Sequence, residues 1–461
     1  MTFEKILDKY RKISTSEVEK GTRFEVLMKN FLLTYTTYRQ LFSEVWLWKD
    51  FPYRAEFGGK DLGIDIVAKS YSGEYWAVQC KCYAEDNRID KPAVDSFLAT
   101  SGKTFDGDKK FSARLWISTT NNWNAEAEIT IKNQIPPVTR IGLTELQNAA
   151  IDWEKLDAGI IGDDAVLKVR KTLQHQLDAI NAAQIYFQTH ERGKLIMSCG
   201  TGKTYTSLKI AEKLFPRGNI LFLVPSISLL NQTLAEWSTF SDLPLDSICV
   251  CSDETASRGR AEDSTQNIDL ALPATTDTAE IVKRLQNKNP QAGLKVIFST
   301  YQSLEQVADA QKILNGEFDL IICDEAHRTT GYGKDATPFT AVHQNNFIAA
   351  KKRLYMTATP RLYTSEAKKK AVDKDLMLWS MDDAEIYGEE FFHIKFGEAI
   401  EKNLLRDYKV IVFAVTENDV PAAVQNIIAN DSEINIAEIA KLIGCTNALS
   451  RHCASRRARY A

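Results

Sequence analysis

Phe318-Asp319-Leu320-Ile321-Ile322-Cys323-Asp324-Glu325-Ala326-His327 is an apolar run that ends on two carboxylates and a histidine. Such a run suits a buried strand with the acidic pair at its carboxyl end. Upstream, Lys194-Leu195-Ile196-Met197 leads into Cys199-Gly200-Thr201-Gly202-Lys203-Thr204 and then into the helix-like segment Tyr205-Thr206-Ser207-Leu208-Lys209-Ile210-Ala211. A glycine-rich turn between strand and helix lets backbone N–H groups cradle phosphates at the positive end of the helix. Gly200, Thr201 and Gly202 supply that turn. Lys203 is expected to reach the β- and γ-phosphates, and Thr204 to place its hydroxyl on Mg²⁺. Asp324 is expected to hold Mg²⁺, Glu325 to polarise the attacking water, and His327 to couple the nucleotide state to neighbouring segments. The full phosphate-loop pattern has Gly where this chain has Met197. The two halves lie far apart in sequence, so only the fold can unite them.

Outward from this pair, Ile220–Val224, Val296–Ser299 and Arg353–Met356 are further apolar runs separated by helix-like stretches. Strands alternating with helices predict a parallel sheet covered on both faces. The segment from Asp253 to Pro290 is polar and rich in Thr, Asp and Asn, and reads as a surface insertion or a pair of short helices. At 461 residues the chain should hold two or three domains. A net charge of −4 advertises no global affinity for nucleic acid, so any DNA channel must be a local basic surface. No apolar run approaches the roughly 20 residues of a membrane helix, and no signal peptide is evident. The eight cysteines fall mostly in strand-like runs without a C-x-x-C pair. That suits buried thiols in a reducing cytoplasm and argues against structural zinc.

The amino-terminal third follows a different pattern. Phe24, Leu27, Met28, Phe31 and Leu32 have helical periodicity. Ile64–Ala68, Tyr75–Cys82 and Ala113–Ser118 are strand-like, the first two joined by a hairpin at Tyr71-Ser72-Gly73-Glu74. Alternation puts Gln79 and Lys81 on one face and turns Cys80 and Cys82 to the core. Asp65, on the neighbouring strand, completes a group that is either a metal site or a structural ion pair.

Asp65 with Gln79-Cys80-Lys81, approached through Gly58-Gly59-Lys60-Asp61-Leu62-Gly63, resembles the core of the PD-(D/E)xK nucleases in their Mrr-like branch. Lys20-Gly21-Thr22-Arg23-Phe24-Glu25 is similar to that family's first helix, with Glu25 entering the site. The resemblance implies that Asp65 and Gln79 hold Mg²⁺ through oxygen and that Lys81 positions water or offsets transition-state charge.

The second half resembles the superfamily 2 helicases and translocases of DEAH-box type. Leu173-Gln174-His175-Gln176-Leu177 is similar to their adenine-reading motif, with Gln176 on the base. Val224-Pro225-Ser226 is similar to motif Ia, Ser299-Thr300-Tyr301-Gln302-Ser303 to motif Ib, and Thr357-Ala358-Thr359-Pro360-Arg361 to motif III. Pro225, Ser226, Thr300, Tyr301, Gln302, Thr357 and Thr359 are therefore candidate DNA contacts, of the kind that read phosphates rather than bases.

A nuclease followed directly by a DEAH motor resembles the amino-terminal half of type ISP restriction–modification enzymes. The expected fold is α/β: an Mrr-like nuclease over 1–150, a connector over 151–165, a RecA-like ATP-binding lobe over 166–400, and the start of a truncated second lobe over 401–461. The resemblance implies an ATP-dependent double-stranded DNA translocase joined to a Mg²⁺-dependent endonuclease, serving phage defence in the cytoplasm. A methyltransferase and target-recognition region would have to come from another region or subunit. The pattern Q-x-x-G-R-x-x-R of a second lobe does not follow Pro360, so weak ATP hydrolysis by this chain alone is expected. A standalone repair helicase–nuclease, or a remnant that binds ATP and DNA without efficient turnover, are the alternatives.

Overall fold

A computed structural model describes residues 1–58, 63–167, 170–252, 265–287, 289, 293–374 and 376–407. The glycine-rich approach to Asp65 thus lies partly outside the described residues, as does almost all of the expected second lobe.

The amino-terminal part is a five-stranded sheet in the order β1-β2-β3-β4-β5: β1 (Phe42–Leu47), β2 (Ile66–Ser70), β3 (Tyr75–Lys81), β4 (Phe111–Ser118) and β5 (Val138–Ile141). The first three strands pair antiparallel, and the last two join in parallel. The hairpin between β2 and β3 sets Ile66 opposite Val78 and Lys69 opposite Tyr75. The helix Glu17–Leu32 packs on this sheet because Phe24, Leu27, Met28, Phe31 and Leu32 form one buried stripe. Ser16 caps it, its hydroxyl accepting from the Glu19 N–H.

The second sheet has seven strands in the order β14-β6-β12-β10-β7-β9-β8, every pair parallel. They are β6 (Arg192–Met197), β7 (Asn219–Val224), β8 (Leu245–Val250), β9 (Leu294–Thr300), β10 (Phe318–Cys323), β12 (Ala350–Thr357) and β14 (Glu389–Ile394). The small antiparallel pair β11 (Gly331–Gly333) and β13 (Met377–Trp379) stands apart. The strand carrying the phosphate loop is separated from the strand carrying the acidic pair only by β12, so their carboxyl ends open on one crevice, where open α/β sheets bind ligands.

Both sheets belong to one compact unit, residues 1–401. The segment expected to be a surface insertion or a pair of short helices carries, in its described residues, a 3₁₀ turn over Asn267–Asp269 and a helix over Thr278–Gln286, and it lies at the seam between the sheets; residues 253–264 lie outside the described ones. Ile268 packs into the same apolar cluster as Trp116, Ile131 and Val138. Beside it the Arg140 guanidinium donates to Asp269 at 2.6 Å and to Glu128 at 2.7 Å. Tyr38 donates to the Ala271 carbonyl at 2.9 Å. One described helix of this segment, Thr278–Gln286, follows, and Lys283 pairs with Glu74 across the seam at 3.0 Å.

Candidate active sites

Asp65 immediately precedes β2, where its backbone is fixed twice: its N–H donates to Val78 at 2.9 Å and its carbonyl accepts from Trp48 at 2.7 Å. Its carboxylate oxygen Oδ2 accepts from the Cys80 N–H at 2.7 Å and from the Gln79 amide nitrogen. A carboxylate can only accept, so the Gln79 carbonyl must point the other way. Gln79 is 1% exposed, and its Oε1 has no hydrogen-bond partner among the described residues. A buried oxygen left without a donor beside a carboxylate is the donor chemistry a hard divalent cation takes. Mg²⁺ therefore fits here. Among the described residues no three His, Cys, Asp or Glu side chains are grouped as a metal site. Burial raises the Cys80 thiol well above its ordinary pKa; Asp65 and Glu25 push in the same direction, and Lys81 opposes them. All three charges are thus within electrostatic reach of Cys80, and the structure gathers Glu25, Asp65, Gln79 and Lys81 around one end of β3. Gln79 and Cys80 are both buried, so both faces of β3 are covered, while Lys81 and Cys82 are only partly covered.

At the other site the loop after β6 enters the helix Lys203–Leu214 with Gly200 and Gly202 in the left-handed region, φ 82° and 87°. At Gly202 a Cβ would sit 2.4 Å from the Gln176 amide nitrogen, so only glycine serves there. Gln176 is 2% exposed. Its amide donates to the Thr201 carbonyl at 3.2 Å and its oxygen accepts from the Leu173 N–H at 3.0 Å. His175 also reaches the Thr201 carbonyl, at 2.9 Å. Gln176 therefore braces the phosphate loop with one amide N–H and one lone pair of its oxygen. Lys203 rests on the Met197 carbonyl at 3.3 Å, and its charge is felt at Asp324.

Asp324 is 6% exposed, and its Oδ1 has no hydrogen-bond partner among the described residues. Desolvation and the adjacent Glu325 push its pKa up to about 6. A carboxylate so uncomfortable without a counter-charge fits Mg²⁺. Glu325 adopts φ 46°, a left-handed conformation that costs a non-glycine residue about 1–3 kcal/mol. His327 bonds the Thr357 hydroxyl at 2.9 Å and approaches Glu325 at 3.3 Å. It thereby joins the acidic turn to the end of β12.

The candidate DNA contacts divide. Pro225 and Thr300 are buried, and Ser226 caps the helix Ile227–Phe240. Tyr301 and Thr357 are fully buried, and the Tyr301 hydroxyl donates to the Asp324 carbonyl at 2.8 Å. The side chains of Tyr301 and Thr357 are turned into the protein, which leaves their backbone groups as the candidate contacts. Gln302 is partly exposed and Thr359 exposed. Arg170 carried no sequence signal, yet its guanidinium lies 4.5 Å from the Tyr205 ring, beside the phosphate loop.

The chain matches the family described as a restriction endonuclease over residues 34–161 and the res subunit of type III restriction enzymes over residues 169–362. It carries a nuclease domain followed by a helicase domain. A structure titled as the ATP-dependent type ISP restriction–modification enzyme LlaBIII bound to DNA is 36% identical, with a TM-score of 0.75 over 96% of this chain and 28% of that one. A nuclease-deletion mutant of the type ISP enzyme LlaGI, in complex with a DNA substrate mimic, is 40% identical over 51% of this chain and 21% of that one, with a TM-score of 0.41. The probable helicase A859L of African swine fever virus (isolate Pig/Kenya/KEN-50/1950) is 31% identical over 250 residues, 54% of this chain and 25% of the viral protein. The chain spans about a quarter of the length of these relatives. Among the described residues no helix is long and apolar enough to cross a membrane.

Proposed function

We propose that this chain is the nuclease and motor portion of a restriction system of type ISP kind: an ATP-driven translocase on double-stranded DNA joined to a Mg²⁺-dependent DNA endonuclease. The observation that carries the reading is the presence, in one compact unit, of two buried aspartates at strand ends, Asp65 beside the donor-less Gln79 oxygen and Asp324 with a donor-less oxygen of its own. Bound Mg²⁺ would supply charge to a phosphoryl oxygen and lower the pKa of a water at each site.

The chain's own residues do the rest. At the nuclease site Asp65 and Gln79 offer oxygens, Lys81 offsets charge on the scissile phosphate, and Glu25 bounds the site from the first helical layer. At the ATP site the loop Gly200-Thr201-Gly202 wraps the phosphates, Lys203 neutralises them, Thr204 and Asp324 hold the cation, and Glu325 orients the attacking water. Gln176 offers its second amide N–H and oxygen lone pair to adenine. His327 carries the state of the acidic turn to Thr357, and Ser226, Gln302 and Thr359 meet DNA phosphates. A nuclease domain over 1–150, a connector over 151–165, a motor lobe over 166–400 and the beginning of a second lobe over 401–461 are the working boundaries. Cytoplasmic action beside a methyltransferase and target-recognition region belongs to the same proposal.

The test is ATP turnover in Mg²⁺ with and without linear double-stranded DNA, beside Lys203→Ala. DNA-stimulated turnover that the substitution removes is expected. Nucleotide binding without any turnover would favour the ATP- and DNA-binding remnant instead.

A further inference from the structure

Behind the acidic turn, residues 324–330, lies a polar cluster sealed inside the core of the seven-stranded sheet. Tyr387, fully buried, donates its hydroxyl to the Thr329 carbonyl at 2.9 Å. His343, 5% exposed, meets the same carbonyl through Nε2 at 3.1 Å and the Tyr355 hydroxyl through Nδ1 at 3.0 Å. A carbonyl cannot donate, so Nε2 carries the proton and Nδ1 accepts from Tyr355. Burial holds this imidazole neutral, its pKa down to about 3. At the other end of the turn, the Tyr301 hydroxyl donates to the Asp324 carbonyl. Three side-chain donors from three separate segments thus converge on the two carbonyls that bracket the turn.

We propose that Tyr301, His343 and Tyr387 are positioning residues that clamp the acidic turn from behind, so that Asp324 and Glu325 face the nucleotide in a fixed geometry. The proposal rests on the ATP-hydrolysis reading of that site. Two features make the clamp more than core packing. Glu325 stands in a left-handed conformation that the surrounding structure must over-determine. The clamp is also tied to the strand of the phosphate loop, because Arg192 of β6 donates to the His343 carbonyl at 2.7 Å. Motion in either half of the site would be felt at the other.

The test uses the full chain with Tyr387→Phe, His343→Ala and His343→Gln. Tyr387→Phe keeps the ring and removes one donor; His343→Gln keeps a donor that His343→Ala lacks. A misaligned turn should lower kcat for ATP by about 10-fold or more, with KM and the affinity for a fluorescent nucleotide unchanged. His343→Gln should recover most of the loss seen in His343→Ala. Hydrogen exchange supplies a readout that does not depend on turnover: amides of residues 324–330 should exchange faster in Tyr387→Phe while the other strands keep their protection. Unchanged exchange in that segment, or faster exchange spread across the whole sheet, would overturn the proposal. A wild-type chain that hydrolyses no ATP would instead sink the proposed function and leave the exchange result to decide this one.

Discussion

Asp65 and Asp324 are both more than nine-tenths buried, 8% and 6% exposed, and each stands at a strand end, Asp65 beside the donor-less Gln79 oxygen and Asp324 with a donor-less oxygen of its own. The chain treats them differently. Asp65 is held by a backbone N–H and by the Gln79 amide, so its carboxylate is oriented before any cation arrives. Asp324 has a carboxylate neighbour in Glu325 and an unsatisfied oxygen of its own, and its pKa rises to about 6. One centre is pre-arranged by hydrogen bonds; the other stores electrostatic tension that a cation relieves.

The largest test of this contrast is substitution at the donor-less oxygen. Gln79→Ala should abolish Mg²⁺-dependent nicking, whereas Gln79→Glu should retain it, because an oxygen ligand remains. Loss in both variants would mean that the amide, not the metal, matters. Next is the cation's effect on stability. A carboxylate whose folded-state pKa is raised to about 6 is mostly ionised at pH 7.5 and mostly protonated at pH 5, so Mg²⁺ with a non-hydrolysable nucleotide should raise the melting temperature more at pH 7.5 than at pH 5. Equal shifts at both pH values would contradict it.

His343 gives a smaller effect of opposite origin. Its pKa is depressed, to about 3 from 6.5, so the unfolded chain binds more protons between those values. Stability should therefore fall as pH drops from about 6.5, and His343→Gln should flatten that slope. An unchanged slope in the variant would remove His343 as the cause. The seam offers the smallest effect. Ile268→Asp should cost about 2–3 kcal/mol, seen in denaturant unfolding, and should loosen the nuclease from the motor lobe without touching either site. Undiminished stability would mean that Ile268 contributes little to the joint.

The phosphate loop, the acidic turn and the Asp65–Lys81 hairpin were legible because each is a short contiguous pattern at the end of an apolar strand. The interior strands were legible for the same reason. What escaped, among the described residues, were the edge strands β1, β5, β8 and β14 and both strands of the small pair, β11 and β13. Strands such as Leu245-Asp246-Ser247-Ile248-Cys249-Val250 and Glu389-Glu390-Phe391-Phe392-His393-Ile394 pair on one side only, and their runs are broken by charge. Ile268 escaped because the short apolar alternation Ile268, Leu270 and Leu272 is embedded in a stretch otherwise rich in Thr, Asp and Asn. The burial of the Tyr301 side chain was not legible, because a motif names a position without saying which way its side chain turns. His343 and Tyr387 are isolated in sequence and meet Thr329 only in the fold.

The central claim is that the two sites are chemically independent. The direct measurement is Mg²⁺-dependent nicking of a plasmid and ATP turnover, made side by side on Lys203→Ala and Asp65→Ala. The expected result is a double dissociation: Lys203→Ala loses turnover and still nicks, and Asp65→Ala turns over ATP and does not nick. Loss of nicking of a minimal substrate by Lys203→Ala would contradict it.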